Sequence, residues 1–321
     1  MTFINCTPGQ IIDIPGTGSW KSTRHEFEEE GLWAVNAALA AERPLLIRGL
    51  PGTGKSQLAR AAARVLNRMF IYHVVRAGTG AQDLQYYYDA VARLGDAQTL
   101  ACRPGISKVE EELAPSKYLS PGPLWWTFDW GFAEEIYKTG SRYMEKPEKL
   151  DGWHPDKGVV LLIDEIDKAD ADLPNGLLEI LGNGSFSVPY LNRAVGARED
   201  AMPPLVIITT NEERELPPAF VRRCMVLHLE LPETDNDLID FLVKRGEVHF
   251  SKAISKDVML RAAQMLAESR TQAKHLGLPL PGQAEYLDML RAIDRLESDL
   301  DPMAVLKHIS GFCLKKKKAD V

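Results

Sequence analysis

The sequence predicts an α/β fold with a parallel five-stranded sheet as its core, followed by a small all-helical domain, and three observations predict it. Five short apolar runs, Leu45–Arg48, Phe70–Val75, Val159–Ile163, Leu205–Thr209 and Met225–Leu229, alternate with helical segments, the order that builds a parallel sheet with right-handed crossovers. A glycine-rich segment stands between the first run and a stretch from Lys55 to Leu66 rich in Ala, Arg and Leu, so strand, glycine loop and helix follow as a phosphate site requires. Beyond Pro232 the pattern changes to helices alone.

Residues 1–25 carry several Gly, Pro and Thr and read as an irregular lead-in with one short strand at Ile11–Ile14. From Glu26 to Ala41 apolar residues recur at helical spacing (Phe27, Leu32, Val35, Leu39), and the pattern stops before Pro44. The five consecutive apolar residues of Val159–Ile163 suit a strand covered on both faces. The α/β domain is expected to span 26–231. The helical domain, 232–321, has apolar positions at Leu238–Leu242, Val258–Leu266, Tyr286–Leu296 and Met303–Leu314. Between the second and third strands, residues 78–157 exceed an ordinary crossover and imply an insertion. Its Tyr86–Tyr88, Trp125–Trp126 and Trp130 read as buried packing rather than a partner surface.

Of the 321 residues, 45% are hydrophobic and 26% charged, which gives ample apolar sequence for a core and excludes a disordered or fibrous chain. The net charge of −7 argues against a general nucleic-acid binder, which needs a basic surface to displace counterions. The basic run Lys315–Lys318 reads as a solvated tail. Cys6, Cys102, Cys224 and Cys313 show no CxxC spacing, so neither a zinc site nor a disulfide framework is expected, and a reducing, cytoplasmic location fits. The N-terminus has no basic start followed by an apolar run, and no stretch reaches the apolar length of a bilayer span. A soluble chain without membrane insertion is expected.

Gly49-Leu-Pro-Gly-Thr-Gly-Lys55-Ser56 matches the full G-x-x-x-x-G-K-[ST] pattern. Glycine lets the backbone fold tightly enough for its N–H groups to surround a phosphate at the positive end of the next helix. Gly49, Pro51, Gly52, Thr53, Gly54, Lys55, Ser56 and Gln57 are the candidate ATP-binding residues. Lys55 is placed to reach the β- and γ-phosphates and Ser56 to ligate Mg²⁺. Asp164, at the end of a buried strand beside such a loop, orients Mg²⁺ through its water shell, and the adjacent Glu165 accepts the proton of the attacking water. Asn211 ends the next strand, where an amide can hold that water against the γ-phosphate. Arg222 and Arg223 precede the last strand, and an arginine there can neutralise the transferring phosphoryl group from a neighbouring subunit.

Taken in order, phosphate loop, acidic strand, Asn211, arginine pair and helical domain resemble the AAA+ ATPases, from about Gly31 to Phe312. Within that class the chain looks most like the MoxR family, through Gly122-Pro-Leu, Leu162-Ile-Asp164-Glu165-Ile-Asp-Lys168-Ala169, the helix Leu173–Leu181 and the hairpin-like Gly184–Pro189. The resemblance implies a head-to-tail homo-oligomeric ring, commonly six subunits, with MgATP at each junction. Asn211 then matches the sensor 1 position and Arg222 or Arg223 the arginine finger. Cys224 occupies the place of a usual Phe, which favours Arg223. Gln283 stands where many lid helices begin with an arginine that touches the γ-phosphate. MoxR-type proteins often work with a partner carrying a von Willebrand factor A domain, as remodelling chaperones. The alternative is an ATP-switched assembly or signalling module of a bacterial conflict or defence system with slow hydrolysis.

Overall fold

The computed structural model describes residues 3–18, 20–102, 109–140, 143–196, 201–296 and 301–314; the run Lys315–Lys318 lies outside them. In chain order the strands and helices are β1 (Ile11–Ile14), β2 (Thr23–Glu26), α1 (Glu29–Ala41), β3 (Leu45–Arg48), α2 (Lys55–Val65), β4 (Met69–Val74), α3 (Ala81–Gln85), β5 (Tyr86–Tyr88), α4 (Ala90–Ala101), α5 (Val109–Glu112), β6 (Leu119–Pro121), α6 (Pro123–Phe128) and α7 (Trp130–Thr139). They continue with β7 (Val159–Asp164), α8 (Asp172–Asn183), β8 (Ser185–Val188), β9 (Arg193–Gly196), β10 (Leu205–Thr210), α9 (Pro218–Val221), β11 (Met225–His228), α10 (Asp235–Phe250), α11 (Lys256–His275), α12 (Gln283–Arg295) and α13 (Pro302–Leu314). The chain divides into two compact units, neither of them a single linear segment. The first comprises Met1–Cys6, Glu29–Ile47 and Ser56–Leu227, the second Thr7–Glu28, Arg48–Lys55 and His228–Val321.

The first unit is built on the five-stranded sheet, in the order β11-β3-β10-β7-β4. Its three middle-to-edge strands pair in parallel, with Ile207 opposite Leu162 and Tyr72 opposite the same residue from the other side. All six residues of β10 and the first five of β7 are buried, as apolar runs covered on both faces should be. In a parallel sheet every strand delivers its last residues to one edge, the edge where ligands bind; β7 ends there in Asp164 and β10 leads into Asn211. The inserted segment packs as the aromatic content implies, with Trp125, Trp126 and Trp130 at 0%, 1% and 4% exposure. Within it β5 and β6 pair antiparallel, and further on β8 and β9 form the hairpin.

Helix α1 ends in a left-handed turn at Glu42 (φ 50°). The Glu42 N–H donates to Leu39 O and the Arg43 N–H to Ala38 O, the pair of bonds that satisfies the last helical carbonyls and reverses the chain. Arg43 and Pro44 are thereby aimed back along the sheet into β3.

The second unit has its own core, formed by Leu242, Ala262, Leu266, Tyr286 and Leu290 of α10, α11 and α12, among others. Thr234 caps α10 by accepting the Asp237 N–H. The short strand expected at Ile11–Ile14 is β1; it pairs antiparallel with β2, Ile11 opposite Glu26, a second strand that the otherwise irregular reading of the lead-in did not include, so the helix expected from Glu26 begins at Glu29. The four residues Thr-Arg-His-Glu have no strand-like alternation of their own. Contacts to α10 hold them instead: Glu26, 5% exposed, accepts from Lys244 Nζ at 2.7 Å and Arg245 Nη1 at 3.4 Å, and Arg24 Nη1 donates to Val248 O at 3.2 Å.

Candidate nucleotide site

The loop between β3 and α2 depends on backbone freedom that only glycine has. Gly49 and Gly52 have φ of 149° and 79°, and a Cβ on them would lie 2.3 Å from Leu229 O and 2.5 Å from Ala284 Cβ. Both positions therefore exclude a side chain on conformational and steric grounds. Thr53 Oγ1 fastens the loop by donating to Leu50 O at 3.0 Å. Lys55, 6% exposed, folds over the same loop, its Nζ donating to Gly49 O at 2.7 Å and Leu50 O at 2.9 Å. In this unit α12 starts close by: Gly282, whose N–H donates to Glu285 Oε2 at 2.8 Å, has its Cβ position 3.7 Å from Pro51 O. Gln283, the first residue of α12, is 9% exposed, and its Oε1 is buried without a hydrogen-bond partner among the described residues.

Ser56, the next residue of α2, belongs to the first unit and to an acidic cluster there. Its Oγ donates to Asp164 Oδ1 at 2.9 Å, and Thr209 Oγ1 donates to the same oxygen at 2.5 Å. Thr209, fully buried, also accepts the Glu165 N–H at 2.9 Å, so one hydroxyl ties the ends of β7 and β10 together. Glu165 has φ 60° and ψ 50°, a left-handed conformation that costs a non-glycine residue about 1 kcal/mol or more. The turn lifts its carboxylate off the strand end, where Oε1 accepts from Asn211 Nδ2 at 3.1 Å and Oε2 from Lys168 Nζ at 2.5 Å. The hydrogen bond to Glu165 raises the Lys168 pKa above its usual value. Gln57, half-buried in α2, accepts from Arg60 Nη1 at 3.0 Å.

Asp167 supports the segment that carries Asn211. It is 2% exposed, and its Oδ2 accepts the backbone N–H of Asn211 at 3.1 Å and of Glu213 at 2.9 Å. Between them Glu212 is left-handed (φ 61°), and its N–H donates to Thr210 Oγ1 at 3.0 Å. The turn is thus pinned on both sides of its strained residue.

Arg222 and Arg223 are both exposed, directly after the short helix α9. Arg223 Nη1 donates to Leu178 O at 3.3 Å. Cys224 behind them is buried, with Sγ donating to Phe220 O, and burial pushes its thiol up to about 11. A small inert side chain thus fills the place where a Phe was expected.

A family model, AAA domain (dynein-related subfamily), matches residues 44–224, more than half of the chain. This chain belongs to the AAA-domain family. The match runs from the residue before β3 to Cys224, so it takes in the phosphate loop, Asp164, Glu165, Asn211 and both arginines of this AAA protein. No curated protein matches the chain. Similar solved structures include two point variants of RuvB from Thermotoga maritima, each 15% identical, one with a TM-score of 0.42 over 88% of this chain and 67% of that one, the other with 0.43 over 88% and 68%.

Among the described residues no group of three or more His, Cys, Asp and Glu side chains is placed to cage a metal ion, and no helix is long and apolar enough to cross a membrane. Mg²⁺ held chiefly by phosphate oxygens and water asks only one or two oxygens of the protein, and Ser56 Oγ and the Asp164 carboxylate, paired at 2.9 Å, are oxygens of the kind that fits such an ion. Reading along the chain missed Thr209, Asp167 and Lys168. The available signal was polarity: two threonines ending the otherwise apolar β10, and charges two and three residues after the acidic pair.

Proposed function

We propose that this AAA protein is a MoxR-type ATPase that binds and hydrolyses MgATP in a ring, commonly of six subunits, and uses the cycle to remodel a partner protein in the cytoplasm. The observation that carries the ATPase reading is the joint bonding of Ser56, Asp164 and Thr209 beside a Glu165 held by Asn211. The loop N–H groups from Gly49 to Gly54 and the Lys55 ammonium bind the phosphates, with Pro51, Thr53 and Gln57 flanking them. Ser56 and Asp164 hold Mg²⁺, which supplies charge neutralisation on the phosphate oxygens when bound. Glu165 takes the proton of the attacking water, and Asn211 orients that water. Arg223 or Arg222 completes the site of the adjacent subunit, and Gln283 senses nucleotide through its side-chain amide, whose NH2 group can donate to a phosphate oxygen. The partner reading, a protein with a von Willebrand factor A domain, rests on the family resemblance alone.

One feature favours a second reading, a slow ATP-driven switch. Both carboxylate oxygens of Glu165 are engaged, one by Asn211 and one by Lys168, so the base is held until something releases it. Two variants test the common core. Lys55→Ala should lose tight ATP binding in calorimetric titration, and Glu165→Gln should bind ATP with near-normal affinity while turnover falls at least a hundredfold. Unchanged affinity in the first, or wild-type turnover in the second, rejects the site. A rate stimulated by a von Willebrand factor A protein selects remodelling over the slow switch.

A further inference from the structure

Arg43 makes contacts that neither the phosphate chemistry nor the family match explains. It stands one residue past the left-handed Glu42 and two before β3. Its guanidinium donates through Nε to Arg223 O at 3.1 Å and through Nη2 to Arg222 O at 2.5 Å. Those two carbonyls follow the last turn of α9, whose own bonds end with Arg222 N–H to Pro218 O, Arg223 N–H to Phe220 O and Cys224 N–H to Val221 O. Carbonyls at a helical C-terminus lack partners within the helix, and a planar fork of N–H groups takes two of them at once, fixing direction as well as distance. The next residue continues the link, since Pro44 O accepts the Met225 N–H at 2.8 Å.

Around this contact lies a groove of about 220 Å³, lined by Arg43, Leu178, Phe220, Arg223 and Cys224 among others. Besides the Arg43 fork, the arginine turn is held by the Arg223–Leu178 bond and, one residue further on, by the Met225 N–H bond to Pro44 O. Arg43 is itself exposed, and both of its bonds go to the main chain of the arginine pair itself. Its two bonds therefore matter chiefly for where the arginine pair points.

We propose that Arg43 is a positioning residue that fixes the orientation of the Arg222–Arg223 pair, and that its effect is felt in the active site of the neighbouring subunit. The inference rests on the reading of that pair as acting across a subunit junction. Arg43 also stands two residues before β3, the strand that lies beside β11 in the sheet.

The test mixes subunits. A reference mixture of Arg222→Ala/Arg223→Ala subunits with Lys55→Ala subunits should recover activity, because some junctions pair a good loop with a good arginine. Replacing the donor by Arg43→Ala/Lys55→Ala should cut that recovery tenfold or more. Placing Arg43→Ala in the acceptor subunit, with Arg222→Ala/Arg223→Ala, should leave recovery within twofold of the reference. Arg43→Lys in the donor should restore part of the loss, and ATP affinity and melting temperature of Arg43→Ala should stay near wild type. Equal recovery with and without Arg43 in the donor overturns the inference while leaving the finger reading intact. A loss that follows the acceptor shows a local structural role and also overturns it. No recovery in the reference mixture, with mixed rings seen by light scattering, removes the finger reading and the inference with it.

Discussion

The side-chain amide of Asn211 and the carboxylate of Glu165 are bonded to each other at 3.1 Å, across two strands that leave the same edge of the sheet. The second Glu165 oxygen is taken by Lys168, 42% exposed. Because that pair is open to solvent, it is weak and readily exchanged. Lys168→Ala should raise basal turnover about two- to fivefold by releasing the carboxylate, whereas Asn211→Ala should lower it about a hundredfold with little change in ATP affinity. Steady-state ATPase assays beside calorimetric titration separate the two; a large loss of turnover in Lys168→Ala would give that lysine an active role.

Asp167 should behave as the backbone support of Asn211. Asp167→Ala removes the acceptor shared by two partly buried N–H groups, which loosens the turn that carries Asn211, and should lower kcat with KM little changed. Asp167→Asn retains an oxygen acceptor and should keep most of the activity. In a double-mutant cycle, Asp167→Ala and Asn211→Ala should be strongly non-additive, since both remove the same oriented amide; additive losses would place Asp167 outside this role.

Thr209→Val keeps shape but removes the hydroxyl that joins Asp164 to the Glu165 N–H. The partly buried Glu165 N–H then loses its acceptor, and stability should fall by about 1 kcal/mol in urea denaturation. The Mg²⁺ dependence of hydrolysis should also move to higher concentration, because Asp164 loses the donor that fixes Oδ1. An unchanged Mg²⁺ profile would show that Ser56 alone suffices to hold it.

Acid should weaken the second unit first. Desolvation, then Arg245 and His249, lower His25 to about 3; desolvation, then Arg245, Arg291 and Arg24, lower His249 to about 4. Both imidazoles stay neutral in the folded chain while the unfolded chain takes up protons below about 6.5. The stability they contribute is therefore intact above pH 6.5 and lost progressively as the pH falls toward 4 and then 3. Melting temperatures measured from pH 8 to pH 4 should decline below 6.5, and the decline should be shallower in His25→Gln/His249→Gln. An equally steep decline in the double variant would assign it to the carboxylates.

The central strands were legible because they are buried on both faces: five apolar residues in a row from Val159, and another run from Leu205, admit few other readings. The phosphate loop was legible because its glycines answer to local sterics, as Gly49 against Leu229 O shows. Strand β2 was not, since Thr-Arg-His-Glu owes its form to pairing with β1 and to Arg245 and Lys244, residues more than two hundred positions away. Asp167, Thr209 and Arg43 escaped for a related reason. Each acts by binding main-chain groups or a neighbour's carboxylate in three dimensions, and such partners leave no spacing along the chain.

The left-handed backbone at Glu165 sets a limit on engineering this protein for heat tolerance. Glycine would adopt that conformation without strain, so a survey for cheap stabilising changes would nominate Glu165→Gly as readily as Glu42→Gly or Glu212→Gly. At Glu165 the gain in melting temperature would come with the loss of the carboxylate that the proposed mechanism uses to handle water. Activity and durability thus make opposite demands on this one residue, and a screen scored on heat tolerance alone would discard the proposed base.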